Sequence, residues 1–204
     1  EQVSKFGSRR FALPIGGSAL VLVYRPDAFS AEVNVKAAKE QGIALEPPAT
    51  WEGLDALARF FQGRDWDGDG SPNHGLVAAL GKDAEGVGDA TFLARAASLG
   101  QHRDHYAFLF DADSLTPRLE SPPFVEALKA IAAWKTVGPP GAESFGIAEA
   151  RAAFREGKAA LLIDRAEKAA EWSSGKPVAA APLPGSERVY EPQRKTWDEN
   201  GSIN

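Results

Sequence analysis

The residues with the clearest potential for chemistry form an acidic loop, RDWDGDGSPNHG, at positions 64–75. Its possible metal ligands recur at alternate positions: Asp65, Asp67, Asp69, Ser71 and Asn73. This spacing resembles the first nine positions of a calcium-binding loop, and Gly70 permits the sharp turn that such a loop needs. The twelfth position is Leu76, where a calcium loop has a bidentate glutamate. We therefore expect either a structural calcium site or a solvated Asp/Gly turn.

A second polar run, HRDHY at positions 102–106, holds two of the three histidines. Histidine can bind zinc or transfer protons near neutral pH. The spacing differs from the HExxH zinc motif, and the chain has no cysteine to serve as a further ligand. The sequence also lacks GxSxG and Walker motifs. We favour a polar loop that follows a helix over a catalytic site.

Four apolar runs predict the strands that would position these loops: residues 19–24, 75–80, 159–163 and 177–181. Helices are predicted between them, at residues 30–41, from 51 to about 61, from Asp89 or Thr91 to 99, and from 122 towards 138. Another helix precedes the third strand and one follows it. This alternation predicts an α/β fold with a mixed sheet flanked by helices.

Capping residues fix several of the predicted helix ends. Thr50 precedes the stripe formed by Trp51, Leu54, Leu57 and Phe61, so it is the expected N-cap of that helix. Ser121 followed by Pro122 is a strong start signal, and Gly42 is a stop signal.

Composition limits the possible functions. The 204 residues are 44% hydrophobic and 25% charged, and the net charge is −5, so the chain can form a sizeable core and has no basic field for nucleic acid. The absence of cysteine excludes disulfides and thiolate chemistry. No secretion signal or membrane-spanning run is visible, and we expect both ends to continue into a longer protein.

Several segments resemble, in order, those of bacterial extracellular solute-binding proteins of ABC importers, family 1, sugar type. They are LPIGGSALVLVYRPDAF (13–29), PPATWEGL (47–54), FDADSLTPRLESPPFVEALKAIAAW (110–134) and AFREGKAALLID (153–164). Two positions depart from the family pattern: Arg25 replaces an asparagine, and Gly53 replaces a glutamate. The resemblance covers nearly the whole chain.

The resemblance implies a single C-terminal lobe of a periplasmic-binding-protein type II-like, or Venus flytrap, fold. Residues 1–18 would cross from an N-terminal lobe, residues 19–181 would form the α/β lobe, and residues 182–204 would be a return hinge with an irregular tail. The first and last predicted strands should lie close together, because both carry hinge connections.

The resemblance also implies where a solute would be bound. The expected contacts lie on three loops: Ser18 before the crossing strand, Lys82 and Asp83 after the second strand, and Asp164, Arg165 and Glu167 after the third. An equally weighted reading makes Asp164 a helix cap and Arg165 a surface residue. The tryptophan that many sugar-binding relatives carry in this third loop is absent, and the alternative aromatic platforms are Trp172, Tyr190 and Trp197.

The function implied is the capture of a small solute, preferably a carbohydrate, by a monomer that delivers it to a membrane permease by hinge closure. No cofactor is required, apart from the calcium considered above. The location would be periplasmic or extracellular, or on the membrane as a lipoprotein. The alternatives are a calcium-stabilised noncatalytic interaction module and, less favoured, a carboxylate-dependent hydrolase. We also expect this single lobe to bind its solute weakly or not at all.

Overall fold

The computed structural model describes residues 5–6, 9–10, 17–104 and 107–199. A short antiparallel pair, β1 (Lys5–Phe6) and β2 (Arg9–Arg10), precedes a four-stranded sheet. The strands of that sheet are β3 (Leu20–Tyr24), β4 (His74–Val77), β5 (Ala159–Arg165) and β6 (Ala179–Pro182). Their spatial order is β4-β5-β3-β6.

The sheet is mixed, as the sequence predicts. β5 runs parallel to β4 and antiparallel to β3, and β3 runs antiparallel to β6. Leu22 of β3 lies opposite both Ile163 of β5 and Ala181 of β6. The predicted adjacency of the first and last strands is therefore confirmed.

Six α-helices flank the sheet in the part of the chain that the structure describes. They are α1 (Pro26–Ser30), α2 (Glu32–Gln41), α3 (Trp51–Phe61), α4 (Val87–Gly100), α5 (Pro122–Ala133) and α6 (Ile147–Arg155). Short 3₁₀ turns occupy Trp134–Thr136, Ala142–Ser144 and Ala166–Glu171. None of these described helices is both long and apolar enough to cross a bilayer.

Both faces of β5 are buried, which explains its continuous apolar sequence. Leu161 and Ile163 pack in one cluster with Trp51 and Phe61 of α3. Leu162, on the opposite face, packs with Phe154 of α6. Alternate side chains of a strand point to opposite faces, so a strand covered on both sides needs apolar residues throughout.

The starts of α2 and α4 differ from the prediction, α5 ends at Ala133 rather than near 138, and the cap of α5 differs in its chemistry. The α2 helix begins at Glu32 because the short α1 helix precedes it. The α4 helix begins at Val87, before the predicted Asp89 or Thr91. Ser121 precedes α5, as predicted, but its side chain makes no capping hydrogen bond; its carbonyl oxygen accepts from Phe124 N at 3.1 Å.

The C-terminal segment, predicted to be irregular, contains an antiparallel hairpin. Its strands are β7 (Val189–Glu191) and β8 (Thr196–Asp198), with Tyr190 opposite Trp197. Trp197 packs against a cluster that includes Phe124 of α5 and Leu99 of α4. The aromatic and apolar contacts that order this segment come from distant helices, which explains why local sequence did not reveal it.

Candidate functional site

The topology of the sheet brings the three predicted solute loops to one edge. β4 and β5 are parallel, so the loops that follow them start from the same edge. β3 is antiparallel to β5, and the pairing of Leu20 with Arg165 places the start of β3 at that edge too. The Ala166 amide donates to the Ala19 carbonyl at 2.9 Å. Ligand sites in open α/β sheets typically lie beyond the carboxyl ends of the parallel strands.

Ser18 connects two of the predicted contacts. Arg165 Nη1 donates to Ser18 Oγ at 2.9 Å. The Ser18 hydroxyl also hydrogen-bonds the Glu167 carboxylate, and this bond lowers the pKa of Glu167. Ser18 and Glu167 are exposed, and Arg165 is half-buried. This group therefore presents a guanidinium, a hydroxyl and a carboxylate to solvent at one place.

The loop after β4 meets the same group through its backbone. Arg165 Nη2 donates to the Glu85 carbonyl oxygen at 3.3 Å. The Asp83 side chain caps α4, because Oδ2 accepts from Val87 N at 2.6 Å and from Gly88 N at 3.2 Å. This cap explains the early start of α4 and occupies the Asp83 carboxylate. Lys82 is exposed.

Asp164 is the predicted contact that the structure places inside the fold. Its side chain has 0% exposure, and Arg151 donates to both of its oxygens at 2.7 and 2.8 Å. Trp172 Nε1 donates to the same carboxylate at 2.9 Å, and Trp172 is itself buried. In this structure Asp164 has no surface to offer a solute, and Trp172 has no exposed ring face for stacking.

No motif in the sequence points to Arg151 or Glu85, which the structure pairs beside the predicted solute loops. Arg151 Nη1 and Nη2 donate to the two Glu85 carboxylate oxygens at 2.7 and 3.0 Å, and these bonds lower the pKa of Glu85. The signal that could have revealed Arg151 is its position on α6, where Ile147, Ala150, Arg151 and Phe154 share one helical face. A charged residue within an apolar stripe requires a buried partner.

The three aspartates of the acidic loop converge as expected, with carboxylate oxygens within 4.8 Å of one another. All three residues are exposed, and Asp65 already accepts from Gly68 N at 2.7 Å and from Gly70 N at 3.0 Å. Ser71 is exposed beside them, and its amide donates to Asp69 Oδ1. The aspartate oxygens fit a hard cation that prefers oxygen ligands.

Asn73, the last predicted metal ligand, is turned away from the aspartates. It is buried, its Oδ1 accepts from Trp66 N at 3.3 Å, and its Nδ2 donates to the Gly157 carbonyl at 3.2 Å. The side-chain amide of Asn73 therefore connects the acidic loop to the turn that precedes β5.

In the HRDHY run, residues 105 and 106 lie outside the described residues. His102 is buried, and its Nε2 lies 3.3 Å from Asp198 Oδ2. The Asp104 amide donates to His102 Nδ1 at 3.2 Å. His102 thus connects the end of α4 to the C-terminal hairpin.

Tyr190 and Trp197 belong to a different surface from the predicted solute loops. Their rings meet edge to face at 5.4 Å between centroids. Tyr190 lines a groove of about 1040 Å³ between the C-terminal hairpin, the start of α5 and residues 107–118. None of the polar residues predicted to contact a solute lines this groove.

Similarity to a known protein family identifies the family of this chain. The profile of the family described as bacterial extracellular solute-binding protein matches residues 2–192. The chain belongs to this family. Curated protein sequences gave no match.

Solved structures of solute-binding proteins share the fold. One from Agrobacterium radiobacter K84, in complex with ribitol, has a TM-score of 0.63 at 24% identity, over 90% of this chain and 42% of its own. One from Agrobacterium vitis S4, with bound D-mannitol, has a TM-score of 0.59 at 24% identity, over 83% of this chain and 37% of its own. Maltose-bound T. maritima MalE3 has a TM-score of 0.60 at 22% identity, over 91% of this chain and 43% of its own.

The sequence-based assignment of family and α/β fold is therefore confirmed. The chain spans about two fifths of the length of these solved structures. It is a member of a family of binding proteins.

Proposed function

We propose that this chain is the C-terminal lobe of an ABC-importer solute-binding protein and forms one wall of a cleft for a carbohydrate or polyol. The observation that carries the proposal is the hydrogen bond between Arg165 and Ser18 at the carboxyl edge of the sheet, with Glu167 exposed two residues further along the chain. The sugar and polyol ligands of the structural neighbours support this solute class.

The exposed groups at this edge suit a solute rich in hydroxyls. The Arg165 guanidinium donates hydrogen bonds, the Glu167 carboxylate accepts them, and the Ser18 hydroxyl does both. Lys82 adds a mobile donor on the neighbouring loop. Recognition would rest on hydrogen bonds, because Trp172 is buried beneath the site.

Residues 1–18 and 182–204 would be the connections to a second lobe, and residues 19–181 would form the lobe itself. Closure of the two lobes would trap the solute and create the form that a membrane permease recognises. The protein would act as a monomer in the periplasm or outside the cell, free or held by a lipid anchor.

Nuclear magnetic resonance titration of the isotope-labelled chain with ribitol, D-mannitol and maltose tests the proposed site. We expect shifts of amide signals at residues 17–19, 82–88 and 165–168. Arg165→Ala should weaken binding about tenfold or more, because a hydrogen bond to a charged group contributes about 1.5–3 kcal/mol. Arg194→Ala, which removes an exposed arginine from the C-terminal hairpin, is the control. Shifts confined to other surfaces would contradict the proposal.

A further inference from the structure

Arg151 occupies an unusual position for a charged residue. It lies on the buried face of α6 with 6% exposure, between the sheet and the two loops that follow β4 and β5. A guanidinium in such a place requires carboxylate partners, because an unpaired buried charge is very costly. Its partners show which parts of the fold it joins.

The guanidinium forms two-pronged contacts with two carboxylates. Nε and Nη2 donate to Asp164, at the end of β5, while Nη1 and Nη2 donate to Glu85, in the loop after β4. Nη1 also lies 3.5 Å from Glu171 Oε2, in the 3₁₀ turn after β5. One side chain therefore contacts both loops that carry predicted solute contacts.

The geometry depends on arginine. A planar guanidinium can bind two carboxylates in fixed directions at once, whereas an ammonium group acts as a point charge. The hydrogen bonds that Arg151 donates to Asp164 and Glu85 raise the pKa of Arg151 still further, so the residue stays charged at any pH at which the protein folds. Because the pKa of Glu85 is lowered, both partners of this pair are charged at neutral pH.

We propose that Arg151 is a positioning residue that holds the loops after β4 and β5 in one fixed arrangement for solute binding. This inference rests on the proposed function for its purpose. Arg151 itself is buried and touches no solute. Its effect on affinity comes through preorganisation, because loops that are already ordered lose less conformational entropy when a ligand binds.

Hydrogen exchange of backbone amides tests the connection without any solute. Glu85→Ala removes the ion pair between Arg151 and the loop after β4. Because Glu85 is partly exposed, the fold should survive this change. We expect exchange at residues 84–88 to rise about tenfold, with no change at the centre of β3. Arg151→Lys should raise exchange about tenfold in both loops, at residues 84–88 and 166–172. In the double variant, Glu85→Ala with Arg151→Lys, the exchange rate at residues 84–88 should be less than twofold higher than in Arg151→Lys alone. The effects should not add, because the two residues act as a pair.

The matched control is Glu156→Ala, which breaks an exposed ion pair between Glu156 and Lys158 at 2.6 Å. It should leave exchange in both loops unchanged. Unaltered loops in Glu85→Ala and Arg151→Lys would overturn the proposal. An equal rise at all amides, β3 included, would also overturn it, because Arg151 would then be a general stabilising residue.

Titration with ribitol, D-mannitol and maltose separates this inference from the proposed function. If the unmodified chain binds one of them, Arg151→Lys should weaken that binding about tenfold while Glu156→Ala leaves it unchanged. Equal affinity in Arg151→Lys and the unmodified chain would overturn the positioning role. If neither the unmodified chain nor the full-length parent protein binds any of them, the proposed solute class fails, and the exchange data still decide whether Arg151 joins the loops.

Discussion

At the scale of single residues, partial burial makes His74 harder to protonate. Its Nδ1 lies 3.2 Å from Gln62 Nε2, while Gln62 Oε1 accepts from Gly75 N at 3.1 Å. The amide nitrogen of Gln62 therefore faces the ring, and His74 Nδ1 must accept its hydrogen. Burial, with a smaller contribution from Lys158, lowers the pKa of His74 below the usual 6.5.

We predict that His74 makes the free energy of unfolding dependent on pH. The unfolded chain takes up a proton near pH 6.5 before the folded chain does, so stability falls as the pH drops below that value. Urea unfolding of the native chain and of His74→Gln, between about pH 8 and pH 5, measures this effect. The variant should lose less stability over this range, and parallel pH profiles would contradict the assignment.

The acidic loop gives a second prediction at the residue scale. We predict that calcium at about millimolar concentration raises the melting temperature, because ligand bound only to the folded state stabilises it. Asp67→Asn should abolish the rise.

The ammonium of Lys176 lies 3.5 Å from Asp67 Oδ2 and would compete with the ion. Lys176→Ala should therefore enlarge the calcium effect. Lys158→Ala, which removes a different exposed lysine, is the control. Identical melting curves in calcium and in chelator would show that the loop is a solvated turn that binds no calcium.

At the scale of elements, two predicted helix caps differ in what their side chains do. Thr50 Oγ1 accepts from Gly53 N at 3.1 Å at the start of α3, whereas the Ser121 side chain makes no such bond at the start of α5. We predict that Thr50→Ala destabilises the chain by about 1 kcal/mol in chemical denaturation. Ser121→Ala is the matched control and should cost less than about 0.5 kcal/mol. Equal losses would show that side-chain capping is not the cause.

Local sequence revealed the elements whose signals are local. The strands near residues 19–24 and 159–163 and the helix that Thr50 caps follow from apolar periodicity and capping residues. The C-terminal hairpin could not be predicted from local signals, because Trp197 is ordered by contacts with distant helices. The candidate site divides in the same way: the family resemblance located Ser18 and Arg165, whereas the burial of Asp164 depends on Arg151 from a different element.

At the scale of the whole molecule, the proposed function would make this chain one wall of a cleft. Ser18, Lys82 and Glu167 are exposed at the sheet edge. Binding sites usually bury most of a small ligand between facing walls. A solute on one wall keeps water on its other side, and the hydrogen bonds there remain in competition with solvent.

The most direct test is to compare the dissociation constant of one solute for this chain and for the full-length parent protein, by calorimetry or resonance titration. If the missing wall contributes about 4 kcal/mol, the affinity of the chain should be about a thousandfold lower, millimolar where the parent is micromolar. Equal micromolar affinities in the two proteins would show that the site lies wholly within these 204 residues and would contradict the one-wall account.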